Sequence, residues 1–273
     1  MPRRLLIATP VRSGFSVNYW MSSRSILDAI PPSEIKIDWL PVAGAPVNFA
    51  RNEIAYEAIQ GDYDDLLQID DDMAPTPEHV RRILSHDVDV VGGCYCAKKF
   101  GKPKWLFVPQ PGAVMRQDGL LECAGVATGF ERTKVSALRK LYAHYHDRRF
   151  LTPPDEKGYQ KEMCELFPMG LIGEGTPEGR LERIKAVLAR QADDPQECVR
   201  QVKEIATSRA GPGRLLGEDY FFTRLCRKAG VISYVDLGIG PVAHIGNVPF
   251  PITPDKVGHT DGGTAEMPPS HEI

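Results

Sequence analysis

A chain of 273 residues is long enough for one substantial α/β domain or two small ones. Its apolar fraction of 42% and charged fraction of 25% are those of an ordinary globular protein, and no apolar run approaches the roughly 18 residues of a membrane span. A net charge of −3 excludes a global basic field directed at nucleic acid or an anionic membrane. The cluster Lys98, Lys99, Lys102 and Lys104 is more simply a solvated loop than a binding patch. Six cysteines without a CxxC pair, and no leader-like segment at the start, predict reduced thiols in a cytoplasmic protein. Cys94 and Cys96, two apart, share one face of a strand and are expected in the core.

Leu5-Leu6-Ile7-Ala8 reads as a buried strand that Thr9-Pro10 ends, and a helix is expected over Ser16 to Ala29, closed by Pro31-Pro32. Ile35 to Leu40 alternates as a second strand. Phe49, Ile54, Ala55, Ala58 and Ile59 have helical spacing, with Gly61 as the stop. Asp65 to Ile69 is a third strand that runs into Asp70-Asp71-Asp72. Thr76-Pro77-Glu78 starts a helix to about Ser85, and Val88 to Gly92 is a fourth strand. Strand and helix in alternation predict an α/β fold, a mainly parallel sheet covered on both faces. Residues 105–131, with short strands and the turn Gln117-Asp118-Gly119, suggest an antiparallel addition to it. Two charged helical segments, about Glu178–Arg190 and Pro195–Ser208, mark 150–215 as an inserted helical excursion and a candidate lid. The chain returns with a helix from Gly217-Glu218-Asp219 to Ala229 and a strand Ile232–Asp236. A single domain over 1–248 is expected, with a Pro-, Gly- and His-containing tail over 249–273.

The acidic triplet is the most informative feature. Three adjacent carboxylates repel one another, so a cation is expected nearby. Ligands of open α/β sheets bind outside the carboxyl ends of strands, and Asp70–Asp72 stands at such an end. An Asp-x-Asp pair there can hold Mg²⁺ or Mn²⁺ and leave positions for phosphate oxygens and water. A solvated acidic turn, or caps for the next helix, accounts for the triplet equally well on its own.

Ala50-Arg51-Asn52 followed by the strand ending Asp70-Asp71-Asp72-Met73 resembles the N-terminal half of the GT-A glycosyltransferases, especially family-2-like members. Gly125 to Phe130, including Gly129, is similar to their small-residue strand between donor and acceptor. Gly217-Glu218-Asp219-Tyr220-Phe221-Phe222 is similar to their Glu-Asp helix, and Val242-Ala243-His244-Ile245-Gly246 to their late His-x-Gly segment. The resemblance covers about residues 4–141 and 215–247; 150–215 departs from it. It implies a nucleoside-diphosphate-sugar donor, a UDP-sugar foremost, and a metal held by Asp70, Asp72 and His244. Mn²⁺ suits an imidazole ligand better than Mg²⁺. The metal would neutralise the diphosphate leaving group. Asp219 is implied as the base that deprotonates the acceptor hydroxyl, with Glu218 beside it, giving a single displacement with inversion. Donor recognition is assigned to Thr9, Pro10 and Arg12 in the loop after the first strand, to Arg51 with Asn52, and to Asp71 at the ribose. Trp105 and Tyr95 are candidate stacking faces or buried aromatics.

A sugar nucleotidyltransferase shares this sheet, but Thr9 to Gly14 is poor in glycine for its phosphate loop. A dehydrogenase is disfavoured because no GxGxxG follows a strand. A non-catalytic nucleotide-sugar-binding protein would keep Asp70 and Asp72 without needing Asp219. The acceptor stays open among a glycan, a lipid-linked sugar, a small molecule, a protein and a hydroxylated DNA base.

Overall fold

The computed structural model describes residues 2–12, 14–98, 104–172, 177–189, 195–207, 214–240, 242–245 and 249–250. Two compact units divide the chain: Met1–Pro168 with Asp219–Met267, and Met169–Glu218 with the last six residues.

The first unit opens with β1 (Arg3–Val11), α1 (Val17–Ala29), β2 (Ile35–Ala43), α2 (Val47–Gln60), β3 (Asp65–Ile69), the two-residue β4 (Met73–Ala74), α3 (Pro77–Ser85) and β5 (Val90–Gly93). There follow β6 (Phe107–Pro109), β7 (Leu120–Val126), β8 (Phe130–Lys134), α4 (Val135–His144), β9 (Arg149–Leu151) and β10 (Glu162–Cys164). The second unit holds β11 (Gly170–Ile172), α5 (Pro177–Ala189), α6 (Pro195–Thr207) and β12 (Arg214–Leu216), with β11 and β12 paired antiparallel. Then come α7 (Glu218–Lys228), β13 (Ser233–Asp236), β14 (Ala243–Ile245) and β15 (Pro249–Phe250).

An eight-stranded sheet in the order β2-β1-β3-β8-β5-β13-β7-β6 forms the centre of the first unit. Strands β7 and β8 run opposite to the other six. The fold is therefore α/β, a mostly parallel sheet flanked by helices. β1 and β3 are buried along most of their length because both faces are covered, which is why β1 carries the apolar run Leu5 to Ala8. Ser16 caps α1 by accepting from the Tyr19 amide, and the helix turns Tyr19, Ser23 and Ile26 inward at helical spacing. Thr76 caps α3 in a box closed by the His79 ring, with Pro77 in the first turn.

The antiparallel strands stand at two places in the sheet, β7 near one edge and β8 between β3 and β5, in the middle. Its Phe-Glu-Arg-Thr-Lys sequence carries no apolar pattern, yet its first four residues are buried. Arg132 is accommodated there by donating to the carbonyls of Val88 and His86, at 2.5 and 2.6 Å. Cys94, Cys96, Cys123, Cys164 and Cys226 are buried free thiols. Among the described residues no helix is long and apolar enough to cross a membrane. The tail from 251 lies outside the described residues, as do Lys99, Lys102 and Gly246.

Candidate functional site

Strand β3 delivers the acidic triplet at its C-terminal end, and each carboxylate meets a different partner. Asp70 Oδ1 accepts from Arg51 Nη2 at 2.9 Å, while Arg51 Nη1 donates to Gln68 Oε1 at 3.1 Å. Arg51 projects from α2 toward the sheet and is 2% exposed, so a buried guanidinium sets the position of Asp70. Asp71 turns toward the loop after β1, where its Oδ2 accepts from the Arg12 amide at 3.0 Å. Asp72 Oδ2 accepts from Lys98 Nζ at 2.5 Å, and Asp72 Oδ1 lies 3.5 Å from His244 Nε2. Two of the three adjacent carboxylates, Asp70 and Asp72, thus meet cationic side chains of the protein itself, Arg51 and Lys98. Burial would push the Asp72 carboxyl up, but His244 and Lys98 outweigh it and hold Asp72 below the usual carboxylate range.

His244 reaches Asp72 through backbone pairing. β14 runs antiparallel to β4 with His244 opposite Met73, and the Ile245 amide donates to the Asp72 carbonyl at 2.6 Å. The ring stands at 82° to Tyr95 with centroids 5.5 Å apart, and Nδ1 is 2.7 Å from the Cys96 carbonyl. A carbonyl only accepts, so Nδ1 carries a proton and Nε2 is the nitrogen turned to Asp72. Metal-binding histidines are commonly held this way, one nitrogen on a carbonyl and the other toward the ion. Among the described residues no three His, Cys, Asp or Glu side chains gather into a preformed metal cage. Asp72 and His244 offer one carboxylate and one imidazole, a partial set that fits Mn²⁺ completed by phosphate oxygens and water.

Tyr95 and the Gly125–Phe130 segment close one side of the cluster. The Gly129 amide donates to Tyr95 Oη at 2.7 Å, and the Gly129 carbonyl accepts from the Asp70 amide at 3.0 Å. A Cβ at Gly129 would lie 2.5 Å from Tyr95 Oη and 3.1 Å from Asp70 Oδ2, so the close approach requires glycine. Gly125 packs equally tightly on Tyr220, whose ring a Cβ would meet at 2.7 Å. Thr223 Oγ1 accepts from the Val126 amide and donates to the Asp219 carbonyl, each at 3.2 Å, which clamps the start of α7 to the end of β7. The Asp219 carboxylate accepts from the Tyr220 amide at 2.7 Å in the first turn of that helix.

The charge of Asp219 extends to two buried groups, Tyr95 and Glu131. Burial, then Asp70 and Asp219, push the Tyr95 phenol well above its ordinary value. Burial pushes the Glu131 carboxyl up to about 8, with Asp219 adding to the rise and the Thr133 hydroxyl and Arg51 opposing it. Glu131 is 0% exposed and its Oε2 has no hydrogen-bond partner. It is therefore predominantly a neutral acid at neutral pH.

The remaining sequence-derived residues divide. Arg12 is exposed beside Asp71, whereas Thr9 and Pro10 are buried and the Thr9 hydroxyl lies 2.5 Å from the Tyr19 hydroxyl. Asn52 Oδ1 accepts from the Leu166 and Phe167 amides, both at 2.9 Å, and ties that segment to α2. Glu218 opens α7 and belongs to the second unit. Tyr95 is buried instead of offering a face to a sugar, and Trp105 is half-buried, bridged to Cys96. Three further residues join the cluster: in the sequence Lys98 reads as part of a solvated loop, and Gln68 and Glu131 carry no local signal beyond being polar residues within strands.

Two open clefts of about 590 and 680 Å³ lie at the other end of the sheet around Ser85, His86 and Asp87. Arg82, His86 and the Gly238 amide converge there on Asp236, and Arg3 pairs with Asp65, whose other oxygen lies 3.7 Å from Arg132 Nε.

No protein-family model and no curated protein matches the sequence. Among solved structures the chain is similar to A197 from STIV, with 16% identity and a TM-score of 0.46 over 92% of this chain and 91% of that one. It is also similar to a glycosyltransferase involved in the glycosylation of the major capsid of PBCV-1, with 12% identity and a TM-score of 0.30. That match covers 50% of this chain and 62% of the other. At such values neither likeness bears on the chemistry, which rests on the residues above.

Proposed function

We propose that this protein is a metal-dependent glycosyltransferase that moves a sugar from a nucleoside-diphosphate donor, a UDP-sugar foremost, to an acceptor hydroxyl. One observation carries the reading. A carboxylate from a strand-end acidic triplet and an imidazole from a distant strand stand 3.5 Å apart, with the imidazole held by its other nitrogen.

A divalent ion bound there, Mn²⁺ or in second place Mg²⁺, would supply Lewis-acid neutralisation of the departing diphosphate. Asp72 and His244 would hold it, and Asp70, kept in position by Arg51, would complete the acidic face. Arg12 and Asp71, joined by a backbone contact, are the groups nearest to hand for the nucleoside. Asp219 would accept the proton of the attacking hydroxyl. Attack with Asp219 as the base, without a covalent sugar–enzyme intermediate, inverts the anomeric centre.

The test is a thermal-shift panel of UDP, GDP, CDP, ADP and TDP, each with Mn²⁺, Mg²⁺ or EDTA. A nucleotide at 100 times its Kd adds about 2.7 kcal/mol of stability. One nucleoside is expected to stabilise the protein in a metal-dependent way that Asp72→Ala removes. Silence across the whole panel would end the donor-site reading.

A further inference from the structure

Among the described residues the Asp72 carboxylate has two side-chain partners, Lys98 and His244, and Lys98 occupies the position a cation would take. Lys98 Nζ is 2.5 Å from Asp72 Oδ2, with the two side chains 30% and 37% exposed. Lys98 arrives there by construction. The chain leaves β5 through Cys94, Tyr95 and Cys96; Cys96 is bridged to Trp105, and the Ala97 amide donates to the Lys104 carbonyl at 2.8 Å. Lys98 is thus the next residue after an anchored pair, and its four-carbon stem carries a compact ammonium with three rotatable donors. Such a group can leave one carboxylate and take up another oxyanion without moving the backbone.

We propose that Lys98 is a built-in cation that holds the Asp72 carboxylate until a divalent ion takes it, and that the released ammonium then binds the donor's diphosphate. This rests on the glycosyl-transfer reading above. An ammonium on Oδ2 competes with a metal for the same carboxylate, and the two positive charges repel. A metal ion arriving alone must therefore strip Asp72 of its partner and leave the ammonium to solvent. A nucleoside diphosphate arriving with the metal offers that ammonium phosphate oxygens, for which lysine is a natural point-charge ligand. Metal and nucleotide then favour each other's binding, and by linkage the effect is reciprocal.

The experiment follows Mn²⁺ binding by the electron-paramagnetic-resonance signal of the free ion, without and with UDP, in the wild-type chain, Lys98→Ala, Lys98→Met and Asp72→Ala. Without nucleotide, both Lys98 variants are expected to bind Mn²⁺ about fivefold more tightly than wild type, the scale of a half-exposed ion pair. UDP is expected to tighten Mn²⁺ binding strongly in wild type and distinctly less in either variant. Mn²⁺–UDP binding that requires Asp72 but is unchanged by both Lys98 substitutions, or Mn²⁺ binding weakened by them, overturns this proposal and leaves glycosyl transfer standing. Binding of neither Mn²⁺ nor UDP to any form, or binding indifferent to Asp72→Ala, overturns the donor-site reading and this proposal with it.

Discussion

His244 stands beside Asp72, Nε2 to Oδ1 at 3.5 Å, because the residue after it donates its amide to the carbonyl of Asp72 itself. The side-chain pair is therefore a by-product of strand pairing and does not depend on either side chain for its position. His244→Ala should leave β14 on β4 and cost the edge-on contact with Tyr95 and the Nδ1 hydrogen bond to the Cys96 carbonyl, together about 1–3 kcal/mol. The metal-dependent part of the UDP stabilisation should disappear in that variant. Melting curves with UDP in Mn²⁺ and in EDTA decide it, and an undiminished Mn²⁺-dependent shift would remove His244 from the ligand set.

Asp219 is held by the backbone around it, through Tyr220 and Thr223. Asp219→Asn preserves shape while removing the basic oxygen. UDP binding should stay within about twofold of wild type, and turnover with a UDP-sugar should fall by at least about 100-fold, the usual worth of a general base. Equal turnover would take the base role from Asp219; loss of UDP binding as well would assign it to the donor instead.

Gly129→Ala drives a methyl group into the Tyr95 hydroxyl and against Asp70. The expected cost is about 1–3 kcal/mol by urea unfolding, as for other overpacked sites. Tyr95→Phe removes the nearest clashing atom, so the double variant Gly129→Ala/Tyr95→Phe should be more stable than the sum of the single losses predicts. Strict additivity would show that the two residues do not oppose each other.

Glu131 has a folded-state value of about 8, above its ordinary 4.5. Between those values the unfolded chain has released the proton while the folded chain keeps it, so folding is favoured less as pH rises through this window and levels off above it. Glu131→Gln, which copies the neutral acid and cannot ionise, should remove that slope. The variant should match wild type near pH 4.5 and melt at a higher temperature near pH 8. Parallel melting profiles from pH 5 to 8 would mean that Glu131 is ionised in the fold.

The parallel half of the sheet and the location of the acidic triplet are legible in the order of residues. Leu5 to Ala8 is an uninterrupted apolar run because both faces of its strand are covered, and Arg12 and Asp70 mark where burial ends after β1 and β3. Strand β8 is not legible. Phe130 to Lys134 looks like a surface segment, and its place at the centre depends on Arg132 finding the Val88 and His86 carbonyls and on Glu131 giving up its charge.

What the sequence determined by itself is what local chemistry determines: periodicity, caps, and three carboxylates at a strand end that demand cations. Which groups answer, and what they leave for a ligand, is a matter of distance across the fold. Arg51 from a helix, Lys98 from a loop and His244 from a late strand reach the triplet only once the sheet is assembled. Electrostatic partnership falls off over a few ångströms of space and is blind to separation along the chain, so only the tertiary structure could decide it.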